Sequence, residues 1–197
     1  TRVPRYAVIP THNRLEQLTG LLRSLDGQID VAIVIDNASE PPVIGHKFHY
    51  DGPHELVLHI IVDSEQPPHL YRMWNDGFKA VASLAAARDA EQWDVFVFND
   101  DAVIPDGWVD YVCNAFEGPD RTRKPAVSCT YPYGNVANPL LKFQPDANIT
   151  TRMCPWAFVV RGELGLRADE SMRWWWGDTH FDWLACNAGG VLLLPGK

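Results

Sequence analysis

The sequence predicts a single α/β domain, Rossmann-like, in which an open and mostly parallel sheet is flanked by helices. Two observations predict it. Short, wholly apolar runs alternate along the chain with segments whose apolar residues recur at helical spacing. The length of 197 residues suits one domain of this class and is tight for two. The domain is read as residues 1–197, with truncation at either end left open.

The elements follow in order. Tyr6-Ala7-Val8-Ile9 reads as a buried strand stopped by Pro10. After the polar turn Thr11-His12-Asn13, Leu15, Leu18, Leu21, Leu22 and Leu25 mark a helix, with Asn13 and Glu16 spaced as a capping box. Val31 to Ile35 is a second strand that ends at Asp36. Strand, helix, strand in this order implies a crossover and parallel pairing. Residues 37 to 55 read as irregular, and Leu56 to Val62 as a third strand. Tyr71 to Ala87 is helical, and Val95 to Phe98 is a fourth strand leading into Asn99-Asp100-Asp101. Trp108 to Phe116 is a helix with Asp106 as its expected cap. Strands at Ala126–Thr130, Ala157–Val160 and Val191–Leu194, a polar loop over 131–153 and a helix over 178–188 complete the chain. Asp36 and the Asn99-Asp100-Asp101 cluster both stand at strand ends, where open α/β sheets collect their ligands.

Composition narrows the classes. The net charge is −8 and no Lys/Arg cluster is present, which argues against nucleic acid as a partner. Cys113, Cys129, Cys154 and Cys186 are scattered, without a CxxC pair, and read as buried free thiols. No apolar run reaches the ~20 residues of a membrane span and no signal peptide is evident, so a cytoplasmic location is expected. His46, His49 and His54 lack the spacing of a metal site.

Asp100 and Asp101 carry the first chemical signal. Adjacent carboxylates after an apolar strand raise each other's pKa unless a cation holds them. Oxygen-only ligation suits Mg2+ or Mn2+. The same pair could instead cap a turn into Pro105-Asp106-Gly107.

Five segments in fixed order resemble the family-2 glycosyltransferases, whose fold is called GT-A. They are Val8-Ile9-Pro10-Thr11-His12-Asn13-Arg14, Val34-Ile35-Asp36-Asn37-Ala38-Ser39 and Trp74-Asn75-Asp76-Gly77, then Phe98-Asn99-Asp100-Asp101-Ala102 and Gly177-Asp178-Thr179-His180-Phe181-Asp182. The fourth is similar to the D-x-D motif and the last, followed by Gly189-Gly190, to the E-D-x-D-L segment. The resemblance implies hexosyl transfer from a nucleoside-diphosphate sugar, a UDP-sugar above all, with Mn2+ or Mg2+. It implies Pro10, Thr11, Arg14, Asp36, Asn75, Asn99 and Asp100 at the nucleotide, Asp101 and Asp100 at the metal, and Asp178 as general base in an inverting displacement. Two positions depart from the pattern: Asn99 and Gly177 stand where the family carries acids.

Trp175 and Trp176, with Trp174, offer faces suited to sugar C–H groups, and His180 is a further candidate for the acceptor or sugar. Trp156 is expected in the core, and Arg72 and Arg152 at the solvated surface, with reach to a diphosphate as the other reading of each. Asp178 has a second reading as a helix N-cap. Two rival functions remain at this point. One is an inactive module that binds a sugar nucleotide or glycan. The other is a nucleotidyltransferase, whose G-x-G-T-R loop is absent.

Overall fold

The computed structural model describes residues 2–48, 56–116, 125–133, 136–145, 148, 150–174 and 176–196. In chain order the elements are β1 (Arg5–Thr11), α1 (Leu15–Leu25), β2 (Val31–Asn37), β3 (Val57–Asp63), α2 (Leu70–Ala86), β4 (Asp94–Phe98) and α3 (Trp108–Asn114). Then come β5 (Val127–Thr130), β6 (Leu140–Lys142), β7 (Ala157–Arg161), a 3-10 turn at Gly162–Leu164, α4 (Gly177–Ala188) and β8 (Val191–Leu194). The eight strands form one sheet in the order β3-β2-β1-β4-β7-β5-β8-β6. Pairing is parallel from β3 to β4 and between β5 and β8. β7 and β6 run against their neighbours. The expected α/β class and mostly parallel sheet are therefore present, with β7 reversed at the centre. No described helix is long and apolar enough to cross a membrane.

Parallel strands covered on both faces must be apolar on both. β1, β2 and β4 are buried at every position, whereas the edge strand β3 alternates with exposed residues. One face carries Trp74, Phe78, Phe158 and Phe181 in contact, joining α2 and α4. On the other, Phe96 and Phe98 pack against Trp108 of α3. Gly77 lets α2 lie close on β1, because a Cβ there would come 2.3 Å from Val8 Cγ1. That contact brings the start of α2 beside the end of β1.

Several boundaries differ from expectation for local reasons. β1 continues through Pro10 to Thr11, since β4 pairs only as far as Val8 and breaks no ladder there. The Asn13–Glu16 box does not form. Asn13 has φ 56°, its side-chain oxygen accepts from the Glu40 amide at 2.7 Å, and Arg14 is the N-cap. Left-handed Gly107, not Asp106, precedes α3. The loop expected over 131–153 contains β6. All four cysteines are buried thiols outside any disulfide, and burial pushes the Cys154 and Cys186 thiols up to about 11.

Candidate functional site

The ends of β1 and β4 meet in a polar cluster. Thr11 Oγ1 donates to Asp100 Oδ2 at 2.8 Å, a buried bond. Arg14, at the N-cap of α1, reaches across with Nη1 3.3 Å from Asp100 Oδ1 and 2.8 Å from Asp101 Oδ2. Burial raises the Asp100 pKa, opposed by the Thr11 hydrogen bond and the Arg14 charge. The cation that relieves the adjacent carboxylates here is thus a guanidinium.

Two cavities border this cluster. The smaller, about 320 Å³, is lined by Pro10, Thr11, His12, Arg14, Asn99 and Asp100 together with the apolar Pro68, Leu70, Met73 and Trp174. The larger, about 630 Å³, contains Asp101, Trp108, Thr130 and Trp156. Asn99 borders both. Of the expected nucleotide residues, Pro10, Thr11, Arg14, Asn99 and Asp100 are therefore brought together, and Asp101 faces the second space.

Asp36 and Asn75 have other jobs. Asp36 is buried, and its two oxygens accept from the amides of Ser39 (3.0 Å) and Val43 (2.9 Å), closing the turn after β2. Asn75 is buried, and its amide bonds both backbone groups of Ala168 at 2.9 Å and Glu170 Oε1 at 2.8 Å. Neither residue lines the smaller cavity; each is bonded to a loop that stands beside it. His69, unnoticed in the sequence, assists Asn75. As N-cap of α2 it accepts from the Arg72 amide, and its other ring nitrogen donates to the Glu170 carbonyl at 2.8 Å.

Asp178 sits in the first turn of α4, behind an N-cap that is Trp176, so the capping reading is overturned. Its Oδ2 lies 3.3 Å from Arg152, which is thereby no mere surface residue. Its amide donates to the Tyr71 hydroxyl at 3.3 Å, and that hydroxyl donates to the Trp174 carbonyl at 3.1 Å. Asp178 lines neither cavity itself; it adjoins the smaller one through this bridge to Trp174. Arg173 holds the same segment from the other side, bonding Glu65 at 3.1 Å and the Pro67 carbonyl at 3.0 Å. Arg72, likewise not free in solvent, pairs with Asp63 and Glu65.

The aromatic expectations divide. Trp174 walls the smaller cavity and Trp156 the larger, so Trp156 is a cavity residue as well as a packing one. Trp176 is 72% exposed with φ 71°, a left-handed conformation that is costly for a tryptophan. Trp175 lies outside the described residues, as do His49 and His54. His180 stacks on Trp183, with ring centres 5.8 Å apart, and turns to its own helix neighbour for contact.

Among the described residues no group of three or more His, Cys, Asp or Glu side chains could enclose a metal. A divalent ion at Asp101, whose side chain is half exposed, would draw its remaining oxygen ligands from a diphosphate and water. One carboxylate plus phosphate oxygens is a donor set suited to Mg2+ or Mn2+, and such an ion would replace Arg14 as the cation at Asp101.

No family model matches the chain, and no curated protein matches it by sequence. Among solved structures, the chain is similar to S. aureus TarS 1–349, with TM-score 0.65 and 13% identity over 99% of this chain and 59% of that one. The same TarS fragment in complex with UDP matches at TM-score 0.64 and 15% identity, with the same coverage. The chain is also similar to 4-diphosphocytidyl-2C-methyl-D-erythritol synthase, at TM-score 0.51 and 12% identity over 100% of this chain and 91% of that one. The chain thus spans 59% of the TarS fragment, and at these identities the likeness is one of fold.

Proposed function

We propose that this chain carries the donor site and general base of a glycosyltransferase that uses a nucleoside-diphosphate sugar, a UDP-sugar above all. The observation that carries the reading is the convergence of Thr11, Arg14, Asn99, Asp100 and Asp101 between two cavities at the end of β4. A fold neighbour in complex with UDP supports the choice of nucleotide.

The smaller cavity takes the nucleoside. Pro68, Leu70, Met73 and Trp174 supply apolar walls for a base, while Thr11, Asn99 and Asp100 supply hydrogen-bonding groups for a ribose. Arg14 stands at the mouth, where it can leave a carboxylate for a phosphate oxygen. Asp101, with Asp100 behind it, would hold Mg2+ or Mn2+. When bound, such an ion supplies charge neutralisation for the departing diphosphate.

Asp178 takes the proton of the acceptor hydroxyl. The acceptor oxygen then forms its bond to the anomeric carbon, and the electron pair of the breaking C–O bond leaves with the diphosphate. A single displacement of this kind inverts the anomeric centre. Arg152 touches only Oδ2 of Asp178, so Oδ1 is the oxygen that receives the proton. Exposed Trp176 is suited to a sugar face on the acceptor side.

One experiment tests the assignment. UDP is titrated with and without Mn2+, and release of UDP from UDP-sugars is followed in wild type and Asp178→Asn. The reading requires UDP binding that Mn2+ strengthens, and an Asp178→Asn variant that still binds UDP but turns over at least ~100-fold more slowly. Undiminished turnover in Asp178→Asn removes the base. Binding without turnover of any UDP-sugar leaves a sugar-nucleotide-binding module. The synthase neighbour keeps nucleotidyl transfer as a second reading, distinguished by release of diphosphate from a nucleoside triphosphate.

A further inference from the structure

We propose that Tyr71 is a positioning residue that couples the occupied nucleotide cavity to the Asp178 carboxylate; this rests on Asp178 being the base, as read above. Tyr71 lies in the first turn of α2, buried, between Leu70 and Met73, neighbours on the helix that line the smaller cavity. Its ring packs edge-on against Trp74, with centres 5.1 Å apart, so the core sets its position.

The hydroxyl makes two bonds of opposite sense. It donates to the carbonyl of Trp174, a cavity wall, and accepts from the amide of Asp178. One oxygen therefore ties together the backbone on both sides of Trp176, whose φ of 71° needs support from its surroundings. The amide it serves is one of the first N–H groups of α4, which have no partner within the helix.

The ring explains Gly177. A Cβ at that position would stand 2.2 Å from two carbons of the Tyr71 ring. The side chain that the sequence pattern leads one to expect at 177 is excluded by Tyr71, and the polar contact to the turn comes from the phenol. Burial and then the Asp178 charge raise the phenol pKa, so the hydroxyl keeps the hydrogen that it gives to Trp174. A base pressing on Trp174 is thus felt at the amide of Asp178 through two hydrogen bonds. Arg152, on Asp178 Oδ2, sets the carboxylate from the opposite side.

Tyr71→Phe tests this, because it keeps the ring and removes only the hydroxyl. UDP affinity is measured by calorimetry and UDP-glucose hydrolysis by UDP release, in wild type, Tyr71→Phe, Asp178→Asn and the double variant. Tyr71→Phe should lower kcat about tenfold or more while the UDP Kd stays within about threefold, since misplacement of a catalytic group costs rate rather than ground-state binding. In the Asp178→Asn background it should cost nothing further, because its effect passes through residue 178. An equal further loss in that background shows a role independent of Asp178 and overturns the proposal. So does wild-type kcat in Tyr71→Phe when Asp178→Asn is inactive, which leaves the base standing. Wild-type turnover in Asp178→Asn overturns both.

Amide hydrogen exchange of residues 176–182 gives a readout that needs no turnover. Saturating UDP should slow exchange there in wild type and leave it unchanged in a folded, UDP-binding Tyr71→Phe variant. Equal slowing in both, or none in wild type, sinks the coupling.

Discussion

Thr11 and Asp100, 89 positions apart in the chain, are joined by a buried hydrogen bond of 2.8 Å that locks the end of β1 to the end of β4. It holds a carboxylate in a place that disfavours its charge, and Arg14 covers the opening.

Replacing Asp100 by Asn should therefore separate stability from ligand binding. Because the folded-state pKa of Asp100 is raised, the native state holds its proton to higher pH than the unfolded chain does. Stability is lost as pH rises from the unfolded value, near 3.8, through the raised native one. Asp100→Asn has no such loss, so it should be no less stable than wild type at pH 7, and its advantage should vanish below about pH 4. UDP affinity should fall at neutral pH. Urea unfolding across pH and a UDP titration check both halves.

Asp101→Asn should behave differently, since its side chain is half exposed. The melting temperature should stay within about 2 °C of wild type, as for other surface changes. The Mn2+-dependent part of UDP binding should be lost, which calorimetry with and without Mn2+ measures.

Gly177→Ala places a methyl carbon inside the Tyr71 ring position. Backbone or ring must shift, with a cost of about 1–3 kcal/mol typical of overpacking. Chemical denaturation should show the loss, and the same substitution should cost less when it is made in a Tyr71→Ala background.

Lys142 and Asp182 form a buried pair at 2.8 Å that ties β6 to α4. Burial raises the Asp182 pKa against the lowering influence of Lys142. Lys142→Met removes the ion-pair partner and leaves that carboxylate only the Met153 amide and the charge of Arg152, and should cost up to about 3–5 kcal/mol at pH 7. The deficit should shrink on acidification as Asp182 takes up a proton, and Lys142→Met with Asp182→Leu should recover much of the stability. Thermal melts at two pH values check this.

Asn75→Ala strips both backbone groups of Ala168 of their partner. A loss of about 2–3 kcal/mol is expected for such buried groups, with UDP affinity in the folded fraction falling only through the loosened 168–174 segment. Unfolding curves and UDP titration of the same sample check both.

The strands and helices were legible in sequence because their apolar periodicity is local. Val31 to Ile35 and Val95 to Phe98 have the short apolar runs of covered strands, and Leu18, Leu21, Leu22 and Leu25 have the spacing of one helix face. Polar residues at the ends of β1 and β4 likewise announced a ligand edge, and Thr11, Arg14, Asn99 and Asp100 do gather at one cavity. The tertiary structure decided which polar groups are left to face that space. Asp36 and Asn75 sit in motifs that suggest contact with a nucleotide, yet burial forces each to satisfy nearby backbone first. The bridge from Tyr71 to Asp178 spans 107 positions, and the reason for glycine at 177 is a ring supplied by α2. No local pattern encodes such a contact, because it depends on how closely two helices lie on a shared sheet face.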